Sequence, residues 1–479
     1  MNRENSMVSS PSSELPAGPG AGPRVHALPP MPPEQLAYAL ARYSRSADSI
    51  TQSIDWVRSH DSGKFLDSFY FQYGHASIAD LGHLAICWEG VSELAATEIE
   101  DEPLWDGQAK SSRYQDFGQL GFITPPEFDA VAAERYQASG NALMAAYRQV
   151  HTEMIEVLSE RLPRPEEMKP DAYRRNIAAR AFDVARYLLF WGVPTNAGQV
   201  TSIRTLERQI RRLKASEYAE VRDVADQATE ACKVPEATPT LAKYVGVDKY
   251  LVQSRADLKL WAEQNLPAPA RLPVEDIDLS RPTDTPADIV ATLLYPATDR
   301  PFRELYELAR GWSAAQRAEV IDVALKSRQR YDELLREFRG GLYAYDMIMD
   351  VGAYRDMHRH RRCQQYRQAY SGRLGWETPE LVAGHAVYRE AMEQAFDTLH
   401  ALPEPGAHYL LPFGARSRFL FKMDFAEAEY ISKLRSGVKG HFSYRAVAWK
   451  MKLAMEKLEP ELGRLIEATP PWVEDPLTR

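Results

Sequence analysis

Ten consecutive residues, Tyr354-Arg-Asp-Met-His-Arg-His-Arg-Arg-Cys363, hold six side chains that can carry positive charge, four of them arginines. At the centre stand Arg359-His360-Arg361. Guanidinium groups at this density suit an anion, most often a phosphate, which they grip through paired hydrogen bonds. The same cluster also describes a solvated basic face, or one that binds the protein's own carboxylates. The element that must position it lies just upstream. Leu342 to Val351 is mostly apolar and aromatic, so it would bury itself and deliver the cluster at its end. Asp346 and Asp350 within it read as simple ion pairs or as partners of Arg359 or Arg361. Cys363 would have a lowered pKa if exposed there, but nothing nearby argues for a nucleophile.

The remaining composition narrows the classes. The 479 residues suffice for two to four domains, and 44% hydrophobic with 26% charged residues is a globular balance. A net charge of −9 argues against a general nucleic-acid binder, whose affinity rests on phosphate neutralisation. Three widely spaced cysteines, Cys87, Cys232 and Cys363, make neither a disulfide framework nor a metal-ligand pair, and imply a reducing cytoplasm. There is no apolar run of membrane-spanning length and no signal-peptide pattern. No phosphate-cradling glycine loop, dinucleotide fingerprint or metal constellation is present.

Along the chain, residues 1–33 are Ser-, Pro- and Gly-rich and read as a disordered tail. Helical periodicity begins at Pro33, and Phe65 to Tyr73 is an aromatic run, read as packing, that leads into Gly74-His75-Ala76-Ser77. Long amphipathic patterns cover Glu127 to Leu162 and Pro170 to about Trp191, and Leu206 to Cys232 is helical again. Residues 233–290, rich in Pro, Ala and Asp, form the boundary or linker, and helical patterns persist from about 291 to 468. Pro470-Pro471 marks the expected end of ordered structure, with 469–479 a tail. His83 and His441 lie on helical patterns and read as core or surface histidines.

The chain also repeats itself. Arg186-Tyr-Leu-Leu-Phe-Trp-Gly192 resembles His408-Tyr-Leu-Leu-Pro-Phe-Gly414. Arg212 and Arg222 recur, 223 residues later, as Arg435 and Arg445. Two diverged copies, 34–232 and 291–468, are therefore expected to form a pseudo-twofold pair with active sites at their shared interface.

With the repeat in view, the residues resemble the flavin-dependent thymidylate synthases in tandem. The first copy shows Gly74-His75-Ala76-Ser77, Ser111-x-Arg113-Tyr114 and Arg186 before Tyr187-Leu188-Leu189, but Asp101-Glu102-Pro103 stands where the family has Arg-His-Arg. The second copy has Arg359-His360-Arg361, but Ala369-Tyr370-Ser371 replaces Ser-x-Arg, His408 replaces the later arginine, and no His-x-Ser element appears. Both copies keep a late arginine, Arg212 and Arg435.

The resemblance implies an α+β fold of two tandem units, long helices packed on a small sheet, forming a pseudo-dimer. Two chains would then make a homodimer that mimics the family's tetramer. It implies reductive methylation of dUMP, or a related uracil nucleotide, with FAD as cofactor and NADPH and methylenetetrahydrofolate as co-substrates. Complementary losses imply one composite site. Arg435 would polarise the pyrimidine, Arg359, Ser111, Arg113 and Arg186 would hold the nucleotide, and His75, Ser77, Arg359, His360 and Arg361 would meet the flavin. The mirror position, with Asp101, Glu102 and His408, would repel a phosphate. Three departures weaken the full reaction. Ala109 stands for the family's Glu and Asp356 for its Gln, and the flavin-touching Asn-x-Arg falls near Ser202-Ile203-Arg204 or Asp424-Phe425-Ala426. The alternative is a non-catalytic nucleotide- or flavin-binding paralogue with a regulatory or assembly role.

Overall fold

In the computed structural model, the residues described are 25–72, 76–102, 104–113, 116–118, 121–249, 252, 276–281, 284–294, 308–325, 338, 342–475 and 477. The expected tail before residue 25 and the site residue His75 lie outside them. Four short helices come first: α1 (Pro33–Tyr43), α2 (Ile50–Val57), α3 (Ser62–Leu66) and α4 (Ala76–Ala79). The first copy continues as β1 (His83–Ser92), α5 (Glu93–Glu100), β2 (Asp106–Ala109), α6 (Ala130–Arg161) and α7 (Pro170–Ala185). A 3₁₀ turn (Arg186–Leu188), β3 (Pro194–Ser202), α8 (Ile203–Lys214) and α9 (Ala219–Ala231) complete it. After β4 (Ile277–Ser280), α10 (Thr285–Leu294) and α11 (Ala314–Leu325), a similar order returns, with one helix where the first copy has α6 and α7. It runs β5 (Tyr343–Asp350), α12 (Val351–Met357), β6 (Gln364–Arg367), α13 (Ala386–Ala401), a 3₁₀ turn (Gly406–Leu410) and β7 (Arg416–Met423). Then come α14 (Phe425–Ser436), α15 (Phe442–Leu458) and α16 (Pro460–Gly463). Each copy places its last strand centrally, in the orders β1-β3-β2 and β5-β7-β6, with β4 added on the free edge of β5. The linker of the sequence reading thus supplies a strand to the second copy's sheet. The fold is α+β.

The chain divides into two compact units, and the division cuts across the first copy. One unit gathers the described residues up to Ile86 with Val200–Lys214 and Ala225–Asp248. Its small core joins Ala39, Ile50, Ile54 and Val57 from α1 and α2. There the buried Glu34 accepts hydrogen bonds from Thr238 and Thr240, which satisfy its carboxylate away from water. The aromatic run is helical and ends in a π-turn, with Phe65 stacked on Phe69 and Phe71 on Tyr244, so it is packing as expected.

The other unit holds Cys87–Gln199, Ala215–Val224 and the described residues from Lys249 onward. Its second sheet follows the alternation of its sequence. Tyr345 opposes Phe421 and Met347 opposes Phe419, and all four are fully buried. Between them Asp346 turns outward and takes both arms of Arg418 at 2.8 and 2.7 Å, so it is a cross-strand ion pair rather than a partner of the basic cluster. The 32-residue α6 packs on α7 and α13.

The two repeated motifs pair with each other. Gly192 N–H donates to Tyr409 O at 2.8 Å and Gly414 N–H to Tyr187 O at 3.1 Å. Trp191 N–H donates to Leu411 O at 3.2 Å and Phe413 N–H to Leu189 O at 2.6 Å. Exchanging each residue for its counterpart in the other copy turns one bond of each pair into the other, which is the signature of a local twofold axis. The same holds where the helices start, since Glu93 N–H bonds Val193 O and Val351 N–H bonds Ala415 O, both at 2.9 Å. Gly414 is required there: a Cβ on it would sit 2.7 Å from the Tyr187 ring.

Two expectations are corrected. The chain stays packed beyond Pro470-Pro471, because the buried Arg445 donates to Val473 O at 2.7 Å, Thr469 N–H donates to Ser436 Oγ, and Trp472 meets Trp449 edge-on. His83 and His441 are not mid-helix residues. His83 opens β1 and is exposed, whereas His441 is buried and caps α15, its Nδ1 accepting from Ser443 N–H. No helix among the described residues is long and apolar enough to cross a membrane.

Candidate functional site

In both copies a strand ends on a side chain that caps the next helix. Ser92 Oγ accepts from Ala95 N–H at 2.9 Å, and Asp350 Oδ1 accepts from Ala353 N–H at 2.7 Å. The ninth residue after each cap is Asp101 in one copy and Arg359 in the other. The substitution inferred from sequence therefore falls at matching positions, just past the helix that each cap starts. Asp350 is buried and also accepts from Tyr187 and Ser443, and burial raises its pKa. It holds α12 in place and is not a partner of Arg359.

The centre of the site is Asp356, near the end of α12. Arg186 of the first copy, 1% exposed, directs Nη1 and Nη2 at its Oδ2 from 3.3 and 3.4 Å, and gives Nη2 to Gly352 O at 3.1 Å. Burial alone would raise the Asp356 pKa. The nearby charges of Arg186, Arg359, Arg435 and Arg355 outweigh it and hold the group down to about 2. Arg113 lies within the reach of the same carboxylate's charge. Its own fork is used on Asp183, with Nε to Oδ1 at 2.8 Å and Nη2 to Oδ2 at 3.3 Å. Its other arms cross to the second copy, Nη1 to Tyr444 Oη at 2.9 Å and Nη2 to Lys439 O at 3.0 Å. The Tyr444 ring meets two cations, with the Arg113 and Arg435 guanidinium carbons 5.8 and 5.6 Å from its centroid.

Arg435 Nε donates to His360 Nε2 at 2.7 Å. Only a neutral imidazole can accept there, and burial lowers the His360 pKa accordingly. Arg355 gives Nη1 to Ser112 Oγ at 3.0 Å and Nη2 to Glu93 Oε1 at 2.7 Å, both in the first copy. Arg359 is exposed, and among the described residues nothing accepts a hydrogen bond from its guanidinium. Arg186 Nε, although buried, also has no acceptor among them. Five guanidiniums meet the carboxylates of Asp183, Asp350, Asp356 and Glu93 in one region built by both copies. The two unengaged donors fit an anion.

Some predicted residues go elsewhere. Arg361 stacks over Trp105 at 4.2 Å and binds Glu100 through Nε to its carbonyl at 3.0 Å and Nη2 to its carboxylate at 3.1 Å. It is a strut against the first copy and does not join Arg113. Ser111 is half-buried, its hydroxyl accepting from Arg113 N–H at 3.3 Å. Ser77 is exposed and belongs to the other compact unit. Cys363 is buried, its thiol pushed up to about 12 and donating to His360 O, so it is not an activated thiol. Of the flavin set that the resemblance implied, Arg359 presents an unengaged group in this unit, Ser77 lies in the other unit and His75 outside the described residues. His360 and Arg361 are used internally. The described residues form an anion site more completely than a flavin cradle. Sequence reasoning missed Asp183, Tyr444, Arg355 and His441, whose Nε2 donates to Asp183 O at 2.7 Å. Arg355 carried a signal as part of the basic run, and Asp183 a weaker one, one helical turn before Arg186.

The mirror position is closed. His408 stands in the place of Arg186 and takes a hydrogen bond with Tyr218 at 2.9 Å. Glu98 stands in the place of Asp356 and is paired with Arg367, which also lies 5.2 Å over Tyr370.

The model of the thymidylate synthase complementing protein family matches residues 28–239 and 313–461. A UPF0159 protein of Chlamydia muridarum is 28% identical over 426 residues, covering 83% of this chain and 78% of its own. One from Thermoplasma acidophilum is 23% identical over 476 residues, covering 89% and 94%. A flavin-dependent thymidylate synthase of Sulfurisphaera tokodaii is 34% identical over 80 residues, 16% of this chain and 31% of that one. Among solved structures, a UMP/dUMP methylase of Streptomyces cacaoi bound with 5-Br dUMP matches 40% of this chain and 94% of its own, at 17% identity and a TM-score of 0.31. Thymidylate Synthase X of Helicobacter pylori with FAD and dUMP matches 40% and 97%, at 15% and 0.30.

Proposed function

This chain belongs to the thymidylate synthase complementing protein family, and from that premise we propose that it binds a uracil nucleotide, dUMP or a close relative, at one composite site per chain and methylates it reductively. The observation that carries the reading is the gathering of Arg186, Arg355, Arg359 and Arg435 around Asp356, with Arg113 alongside. A nucleotide phosphate would meet Arg359, which is exposed and unengaged, and the pyrimidine would lie toward Arg435, whose fixed charge polarises a ring carbonyl. Arg435 is aimed by the His360 acceptor on one side and the Tyr444 ring on the other. FAD, reduced by NADPH, and methylenetetrahydrofolate would supply the hydride and the one-carbon unit. The chain's own part is to hold the nucleotide and polarise it. Similarity over 80 residues to a protein named as flavin-dependent supports FAD as the cofactor.

A second reading is favoured by the internal use of His360 and Arg361 and by Ala109: a paralogue that binds the nucleotide without chemistry. Titration calorimetry with dUMP, absorbance after incubation with FAD, and transfer of a labelled one-carbon unit separate the two. Binding, flavin uptake and label transfer are expected together. Binding without flavin uptake establishes the paralogue. Failure to bind dUMP with or without FAD overturns both.

A further inference from the structure

Asp356 is an unusual occupant for the middle of an anion site. Its carboxylate takes both terminal nitrogens of Arg186, which is almost fully buried and cannot turn to another partner without leaving Asp356 or Gly352 O. Arg359, Arg435 and Arg355 are close enough for their charges to act on the same group. Four like charges held this closely repel one another, and a fixed anion among them offsets that repulsion. Whatever anion enters next must share the arginines with a charge already present.

We propose that Asp356 is a resident counter-anion that competes with the ligand's phosphate for the arginine cluster, and so sets the charge that the site accepts. This rests on the nucleotide-binding reading above but extends it to specificity. With Asp356 in place, both terminal nitrogens of Arg186 are engaged internally, and the incoming group is held by Arg359, the remaining cations and at most the Arg186 Nε. The site then gains little from the second negative charge of a phosphate monoester and accepts a singly charged ester nearly as well. A unit charge roughly 6–10 Å away, in an effective dielectric of roughly 20, changes a binding constant by about one to two orders of magnitude.

The test uses the full chain with three probes, uridine, uridine 5′-monophosphate and its methyl phosphodiester, which carry no, about two and one negative charges near neutral pH. Wild type is expected to bind the monoester less than tenfold tighter than the diester. Asp356→Asn should tighten the monoester by tenfold or more and leave uridine unchanged, while Asp356→Glu, which keeps the charge, should behave as wild type. An Asp356→Asn protein that binds the monoester no tighter overturns the proposal. If that variant does not fold, the wild-type ratio still decides, because a hundredfold preference for the monoester refutes a competing internal anion. Inorganic phosphate separates the two levels of the argument. If no uridine compound binds any variant, yet phosphate raises the melting temperature of Asp356→Asn more than that of wild type, the nucleotide reading fails and the counter-anion stands. Equal shifts would sink the counter-anion.

Discussion

The join between the two copies at Arg113 can be tested by removing one charge at a time. Asp183 is 2% exposed, and Arg113 gives its carboxylate two hydrogen bonds. Arg113→Met keeps much of the side-chain volume but leaves a buried carboxylate without its counter-charge, a loss of roughly 3–5 kcal/mol. Tyr444 Oη and Lys439 O lose their donor in the same step, which places the loss toward the upper part of that range. At about 2–4 °C per kcal/mol, the melting temperature should fall by roughly 6–20 °C. The second change, Asp183→Asn on top of Arg113→Met, removes the stranded charge and should recover at least half of the loss. Urea unfolding followed by tryptophan fluorescence reads both variants, with Trp191 fully buried in this unit as a reporter. A single-variant loss below about 1 kcal/mol, or a double variant no more stable than Arg113→Met, would refute the claim that this pair is a desolvated electrostatic joint.

Three further outcomes follow from the same geometry. Arg359→Ala should cost nucleotide affinity tenfold or more without loss of stability, because the side chain is exposed and unengaged, whereas Arg361→Ala should lower stability and leave affinity within a few-fold; calorimetry and thermal melts of both variants reverse this if Arg361 is the ligand contact. Asp356 has its pKa depressed to about 2, so its stabilising contribution is present above the ordinary carboxylate pKa near 4 and is lost as pH falls through 2; acid titration of wild type against Asp356→Asn should show an excess loss of roughly 2 kcal/mol in that window, and coincident acid curves would contradict it. Nucleotide should saturate at one per chain, since the mirror position has Asp101 for Arg359 and His408 for Arg186, and a calorimetric stoichiometry of two would show that the second position is open.

Much of the architecture could be read from local signals. The long periodic stretches gave α6 and α7, whereas β5 and β7 lie inside the stretch from about 291 to 468 that reads as helical, because their apolar runs are too short and too continuous to separate strand from buried helix. The paired motifs ending in Gly192 and Gly414 announced a repeat because the backbone cross-pairing at the local twofold requires similar residues on both sides. What stayed hidden depends on direction rather than on residue type. Arg359 and Arg361 are two residues apart just past the end of α12, where the backbone is no longer helical, and they leave in different directions. Only the position of Trp105 and Glu100 in the other copy decides which arginine becomes a strut. Tyr444 was invisible, and Asp183 nearly so, for a related reason. A buried aspartate in a helix and a tyrosine beside a cap look like ordinary core residues until Arg113, 331 positions before Tyr444, is seen to bridge them.

The divergence of the copies has a physical logic. In a symmetric pair of identical chains, every change in one site appears in its mate, so neither can lose a phosphate ligand without both losing it. Covalent linkage removes that constraint. One position can keep Arg186 and gain from Arg359, while the other replaces them with His408 and Asp101. The abandoned position could not simply lose charge, because Glu98 remains in the place equivalent to Asp356 and is partly buried. Arg367, standing where the first copy has Ala109, supplies the missing cation from within the chain. The pairing of Arg367 with Glu98 is thus the counterpart of the pairing of Arg186 with Asp356, with the cation moved from one copy's turn to the other copy's strand. At one position the carboxylate is sealed by its partner and the space is filled by Tyr218, Tyr370 and His408. At the other, Arg359 is left over and exposed, and that surplus of one cation is what distinguishes a site from a core.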